Sequence, residues 1–396
     1  MKKEKQKVLI LVTLAEVGGA QMSVLNLSRE FIKRGYDVKV GFGEGEFLSN
    51  ECKKWGIPTK RFKNLKRSFS VFENIKFIFE LKDFLKKEKF DVLHINSSNA
   101  LLGALSSFLL FRDRPYVVFT YRGMSFLDKR HETSTIKRIF YRLIFRFFVL
   151  FVDKEVFVSK ENFQSAKDIG LGKKGIVVYN GLPLTEVLFL ERDLAREEIE
   201  KVSGRVFKDK IIVGSIGRLA YQKNYEFLIK NWKSIKENFP EAVCLVIGDG
   251  PDYDHLKKMI KEGDIEDSFF LIGEYSNAGR LLKGFDVFVL TSHYEGLSIT
   301  TLEALFSGVP ILISKTGGNP EVISNFEPFL FEVNKGDEFK DKLSNILSDK
   351  ENWKRKAYDI SRKESYRFSI SQTVNGYEYI YKNGKTAIIS SKKSID

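Results

Sequence analysis

The chain has 396 residues, 43% of them hydrophobic and 30% charged, which suits two domains of ordinary size and excludes a disordered polymer. Its two cysteines, Cys52 and Cys244, and its four scattered histidines exclude a disulfide framework and leave no metal-ligand spacing, so no metal and no cofactor are expected. The net charge of +13 is lopsided: residues 1–190 carry 34 Lys and Arg against 20 Asp and Glu, and the rest 31 against 32. No helix-turn-helix, zinc-finger or RNP pattern accompanies the basic half, which argues against nucleic acid and favours an acidic membrane surface or an anionic lipid-linked partner.

MKKEKQK leads directly into KVLILVTL, a run too short for a signal peptide, and no stretch reaches the ~20 apolar residues of a membrane span. A cytoplasmic protein is expected, peripheral at most on the inner face of the cell membrane. KVLILVTL (7–14) reads as a buried strand, AEVGGAQ as a loop, MSVLNLSREFIKRG as a helix ending at Gly35, and YDVKVGF as the next strand. That is a βαβ unit, hence a parallel sheet. The alternation continues through a helix at FENIKFIFELKDFLKKEKF, a strand at DVLHINSS, a helix at ALLGALSSFLLF and strands at PYVVFTYRG, EVFVSK and GIVVYNG.

Residues 136–152 (IKRIFYRLIFRFFVLFV) set Arg138, Arg142 and Arg146 four apart on one helix face among large apolar residues. Two readings fit: a helix lying on a membrane surface, or a core helix with one solvated edge. The charge asymmetry favours the first. Residues 182–210 are charged and hold no strand core, and a second α/β series then runs from IIVGSIGRL to VPILIS. The expected division is 1–185 and 186–369, both Rossmann-like and doubly wound although neither carries GxGxxG.

The strongest chemical signal is Glu295-GLSITTL-Glu303, in a loop after the strand DVFVLTS that opens a helix. Open parallel sheets bind ligands at such strand ends, and a helix start suits a diphosphate. Two carboxylates there would accept hydrogen bonds from sugar and ribose hydroxyls. A purely local alternative is a capping box from Thr300 to Glu303. Arg218 and Lys223, five apart in GSIGRLAYQKN, would neutralise a diphosphate leaving group, or are a solvated pair. Gly18 and Gly19 let backbone approach a ligand at another helix start.

The order of GGAQ, DVLHINSS, VFVSK, VYNG, GRLAYQKN, VIGDGP and SHYEGLSITTLEALFSGVPILISKTGGNPEVI resembles the retaining GT-B glycosyltransferases of family 4 over nearly the whole chain. The resemblance implies two Rossmann-like domains facing across a cleft, with a C-terminal helix near 370–386 returning to the first. It implies that Glu295 contacts the donor sugar, Glu303 holds the ribose, Arg218 and Lys223 meet the diphosphate, and backbone from Leu297, Ser298, Ile299 and Thr300 meets phosphate. Gly18 and Gly19 would face donor phosphate and acceptor. Asn180 would lie near the domain junction, His293 would line the donor site, and His94 would be an N-domain strand residue of acceptor-side or structural role. Many members carry a histidine in the loop after the strand PYVVFT, where this chain has Arg122. An always-charged guanidinium is no neutral base, and it would instead hold an anionic acceptor or the transferred sugar.

The implied activity is metal-independent, retaining transfer of a hexosyl or N-acetylhexosaminyl unit from a nucleotide-sugar, UDP-sugar favoured, to a glycan or lipid-linked acceptor, as in surface polysaccharide synthesis. The rivals are a nucleotide-sugar epimerase, a phosphorylase, and a non-catalytic membrane-associated partner of another transferase.

Overall fold

The computed structural model describes residues 5–68, 70–123, 135–186 and 189–393. They divide into two compact units, Met1–Gly181 with Ser369–Asp396, and Leu182–Phe368.

In the first unit, β1 (Lys7–Leu14), β2 (Asp37–Glu44), β3 (Thr59–Arg61), β4 (Val92–Ile95), β5 (Tyr116–Tyr121), β6 (Lys154–Phe157) and β7 (Gly175–Val177) form one sheet. Their order is β3-β2-β1-β4-β5-β6-β7, every pairing is parallel, and β1 runs beside β2 from Lys7 against Asp37 to Leu14 against Glu44. Side chains alternate across a strand, so the unbroken apolar run of β1 supplies two layers at once. Leu9 and Leu11 point into one core, Val8, Ile10 and Val12 into the other.

The first core is closed by α3 (Val71–Glu88), α4 (Gly103–Phe108), α5 (Thr135–Val149) and α6 (Lys160–Asp168) through Phe77, Leu81, Ala104, Phe145 and Ala166. The second is closed by α1 (Gly19–Lys33), α2 (Phe47–Lys54) and the C-terminal helix Ile370–Lys393, whose Val374, Tyr377 and Tyr381 recur at helical spacing. That helix comes close because Gly376 and Gly384 lack side chains. A Cβ at Gly384 would lie 2.4 Å from the Tyr116 ring, and one at Gly376 2.9 Å from Val178.

In the second unit, β8 (Ile211–Ile216), β9 (Ala242–Ile247), β10 (Phe269–Gly273), β11 (Val287–Leu290), β12 (Ile311–Ser314) and β13 (Leu330–Phe331) form a parallel sheet in the order β10-β9-β8-β11-β12-β13. Its described helices are α7 (Arg192–Ser203), α8 (Tyr225–Asn238), α9 (Tyr253–Glu262), α10 (Ile299–Ser307), α11 (Asn319–Val322), α12 (Gly336–Ser348) and α13 (Lys350–Glu364). The charged stretch before β8 contains a helix that sequence reading did not assign. α7 buries only Ala195 and Ile199, and Arg192 and Arg196 tie it to Asp286 at 2.7 and 2.8 Å. In both units the strand order reverses beside the first strand, between β1 and β4 and between β8 and β11. Such switch points leave a crevice at the carboxyl ends of the strands.

Candidate active site

The second unit gathers its chemistry at the β8/β11 switch point. β8 ends in Gly217-Arg218-Leu219, and this loop packs against Gly248-Asp249-Gly250 after β9. A Cβ on Gly248 would fall 2.0 Å from the Gly217 carbonyl, and one on Gly250 2.2 Å from that of Leu219, so both positions need glycine. Arg218 is exposed and has no ion-pair partner among the described residues. Lys223, in the short turn Tyr221–Lys223, does not join it as a second open cation. Its Nζ donates to Glu295 Oε1 at 2.7 Å, with side chains only 13% and 6% exposed. The Ser292 hydroxyl donates to the same oxygen at 2.7 Å. The basic pair inferred from spacing is therefore one free guanidinium and one lysine committed to the first glutamate.

Glu295 lies in the loop between β11 and α10. The Gly318 amide donates to the Gly296 carbonyl at 2.8 Å, and Gly317, at φ +53°, approaches so closely that a Cβ would sit 1.9 Å from the Glu295 carbonyl oxygen. α10 begins at Ile299 with Ser298 as its cap, the Ser298 hydroxyl accepting from the Thr301 amide at 3.2 Å. This replaces the capping box considered between Thr300 and Glu303: the cap lies two residues earlier, and Glu303 is released from it. By helix geometry the first-turn amides of Ile299 and Thr300 have no acceptor within the helix, and with the positive dipole end they make an anion site. Leu297 is buried beneath this turn.

Glu303 stands one turn further along the helix with no hydrogen-bond partner among the described residues. Gly279 leaves room for it, since a Cβ there would be 2.9 Å from the carboxylate. Burial raises its pKa from 4.5 to about 7. His293 is buried beside Tyr221, their rings 4.6 Å apart. Ser292, Gln222, whose side-chain amide donates to Glu295 Oε2 at 3.4 Å, and Gly279 were not singled out from the sequence, because nothing in the order of residues marks what a glutamate will touch.

In the first unit, Gly18 and Gly19 open α1, and the Gln21 side-chain amide donates to the Leu14 carbonyl at 2.8 Å. Arg122 at the end of β5 reaches across to Asn96 after β4, with Nε 3.1 Å and NH2 2.7 Å from Asn96 Oδ1, and donates through NH1 to Asn180 Oδ1 after β7. His94 is not an acceptor-facing residue in this structure. It is fully buried, its Nε2 and Nδ1 each 2.7 Å from Thr120 Oγ1 and the Tyr381 hydroxyl, and burial with the Arg122 charge holds it well below the usual imidazole pKa. A neutral imidazole clamped by two hydroxyls is a core group that seats the C-terminal helix.

Two parallel α/β units, each with a strand-order switch beside its first strand, are the architecture of the GT-B fold. The crystal structure of Anabaena HepE in complex with UDP and glucose matches this chain with a TM-score of 0.82 at 18% identity, covering 96% of this chain and 100% of that one. Glycosyltransferase Family 4 matches residues 17–186 and Glycosyl transferases group 1 matches residues 196–363, and the chain belongs to this family of enzymes, the family 4-like glycosyltransferases. It is 28% identical over 323 residues to the UDP-Gal:alpha-D-GlcNAc-diphosphoundecaprenol alpha-1,3-galactosyltransferase of Escherichia coli, covering 77% of each chain. It is 25% identical over 387 residues to the N-acetyl-alpha-D-glucosaminyl L-malate synthase of Bacillus anthracis, covering 93% of this chain and 97% of that one.

Proposed function

We propose that the protein is a retaining glycosyltransferase that uses a UDP-sugar and acts, without a metal ion, on a glycan or lipid-linked acceptor in surface polysaccharide assembly. The observation that carries this reading is the Glu303 carboxyl, unpartnered among the described residues and one turn into α10, in the same unit as an Arg218 that has no ion-pair partner among those residues. Glu303 would accept from the ribose hydroxyls, and Glu295, oriented by Lys223 and Ser292, would meet the donor sugar. As the anomeric carbon–oxygen bond breaks, its electron pair goes to the diphosphate, whose charge Arg218 and the helix start would stabilise. The acceptor oxygen bonds to the anomeric carbon on the same face, and its proton passes to a leaving phosphate oxygen. The UDP-bound Anabaena neighbour and the diphosphoundecaprenol-dependent relative support the donor and acceptor classes chosen.

The proposal extends to an anionic membrane surface. α5 presents Ile139, Leu143 and Phe147 to solvent, one per turn, followed by Leu150, and α3 exposes Val71, Phe72, Ile75 and Phe79 with Lys76 beside Phe72. Both helices cover the same face of the first sheet. Apolar side chains would enter the acyl boundary while the surplus lysines of this half meet headgroups.

A thermal-shift screen of UDP, GDP and ADP, followed by NMR of the product anomer made in EDTA, tests the donor, the stereochemistry and the metal together. The expected result is a shift with UDP that Glu303→Ala loses, and a product with the donor's anomeric configuration. An inverted product, or activity abolished by EDTA, would sink the corresponding part.

A further inference from the structure

Two half-buried arginines of the first unit find carboxylates: Arg34 pairs with Glu30 and Glu378, and Arg114 with Asp153. Arg122 does not. Half-buried at the end of β5, it has no carboxylate partner among the described residues, and its contacts are amide oxygens. The ionisable groups around it are the neutral His94 and the phenols of Tyr377 and Tyr381, none of which supplies a counter-charge at neutral pH. A guanidinium keeps its proton in such a place, so the positive charge stays uncompensated.

The group is also held still. Nε and NH2 share Asn96 Oδ1, and the Asn96 amide nitrogen donates to the His94 carbonyl at 3.3 Å, which settles which end of that amide faces the arginine. Of five N–H bonds, three are used, leaving one on each terminal nitrogen without an acceptor among the described residues. Two donors of that kind suit the two oxygens of a carboxylate or phosphate. Their place is next to the β1/β4 switch point, at the ends of strands where open parallel sheets take ligands.

We propose that Arg122 is a specificity residue that binds an anionic oxygen group of the substrate, a carboxylate or phosphate borne by the transferred sugar or by the acceptor. The inference rests on the glycosyltransferase reading and narrows its substrate class. Asn96 and Asn180 position the guanidinium and, being uncharged, leave its charge for the ligand.

The test uses the full chain as wild type, Arg122→Gln and Asn180→Asp. One arm compares kcat/KM for UDP-glucuronic acid and UDP-glucose. The other compares an N-acetylglucosaminyl diphosphate on a phenoxyundecyl chain with the uncharged glycoside on the same chain. Wild type is expected to favour the charged member at least tenfold in one arm, which identifies the source of the anion, and Arg122→Gln to lose that preference. Asn180→Asp gives the guanidinium an internal carboxylate, so it should lose the preference as well while its melting temperature holds or rises. A purely structural arginine would not produce that pair of results. UDP binding by calorimetry is the control for the underlying reading. Absence of UDP binding to wild type would remove both readings. Intact UDP binding with the same discrimination in wild type and Asn180→Asp, or none in either arm, would overturn the role of Arg122 alone.

Discussion

Glu303 carries a proton that an exposed glutamate would release, because its carboxyl is packed behind Gly279 at the edge of α10 and burial lifts its pKa to about 7. The sign of the linkage follows. A folded-state pKa above the ordinary 4.5 means that the contribution to stability is full below that range and is lost as pH rises through about 7. Ribose hydroxyls donate to the ionised form, so nucleotide binding and protonation compete at this site. UDP affinity is therefore expected to rise between pH 6 and pH 8, with net proton release on binding at pH 6.5. Isothermal titration in buffers of different ionisation enthalpy measures that release, and Glu303→Gln should reduce both the release and the slope to the part set by the terminal phosphate of UDP. A wild-type affinity flat across this range would show that Glu303 does not touch the nucleotide. Lys223 and Glu295 differ in kind: each satisfies the other in a nearly dry setting, and breaking one side alone would leave a buried charge.

Among the elements, α5 departs most from its sequence pattern. Spacing alone put Arg138, Arg142 and Arg146 on one face, with those basic residues expected at lipid headgroups and the phenylalanines in the acyl boundary. The side chain of Arg138 lies outside the described residues. Arg142 is turned inward instead, its Nε 3.1 Å from the Ile169 carbonyl at the end of α6, where a cation meets the unsatisfied carbonyls of a helix C-terminus. The outward side carries Ile139, Leu143 and Phe147 together with the exposed Arg146, and Phe145 and Val149 lie on the buried side. The proposed lipid contact therefore runs through Leu143 and Phe147, with Arg146 at the headgroups. Leu143→Asp with Phe147→Asp is expected to lower flotation with vesicles containing one-third phosphatidylglycerol at least fivefold, leaving UDP binding intact. Flotation equal to wild type would exclude this face. α10 makes the complementary point. Its boundaries follow from the polar Ser298 and the terminal Gly308, the latter in the left-handed region at φ +78°, both readable as helix start and stop signals.

Across the whole molecule, two copies of one strand-order rule set different side chains at their strand ends. The second unit offers a cation, a helix start and carboxylates, and the first offers a fixed guanidinium among amides and hydroxyls. Hydrogen exchange followed by mass spectrometry should therefore show UDP slowing exchange in residues 217–224 and 292–303, with β1 and β4 unchanged. Equal protection in both units would contradict a nucleotide site confined to the second. The parallel α/β class, most strands, and the loops that carry Arg218, Glu295 and Glu303 were legible in the residue order. A short, β-branched apolar run bounded by turn residues reads as a buried strand, and a glycine-ended helix between two such runs favours a parallel pairing. Short or weakly apolar elements such as α2, β3 and α7 were not, because two buried side chains make no periodicity. Nor were the partners. That Lys223 is spent on Glu295, that His94 is locked by Tyr381 nearly 290 residues away, and that Arg122 meets Asn96 and Asn180 are contacts between distant segments. Local order encodes periodicity, caps and turns. Which charge is neutralised and which is left for a ligand depends on the side chains that packing brings within 3 Å.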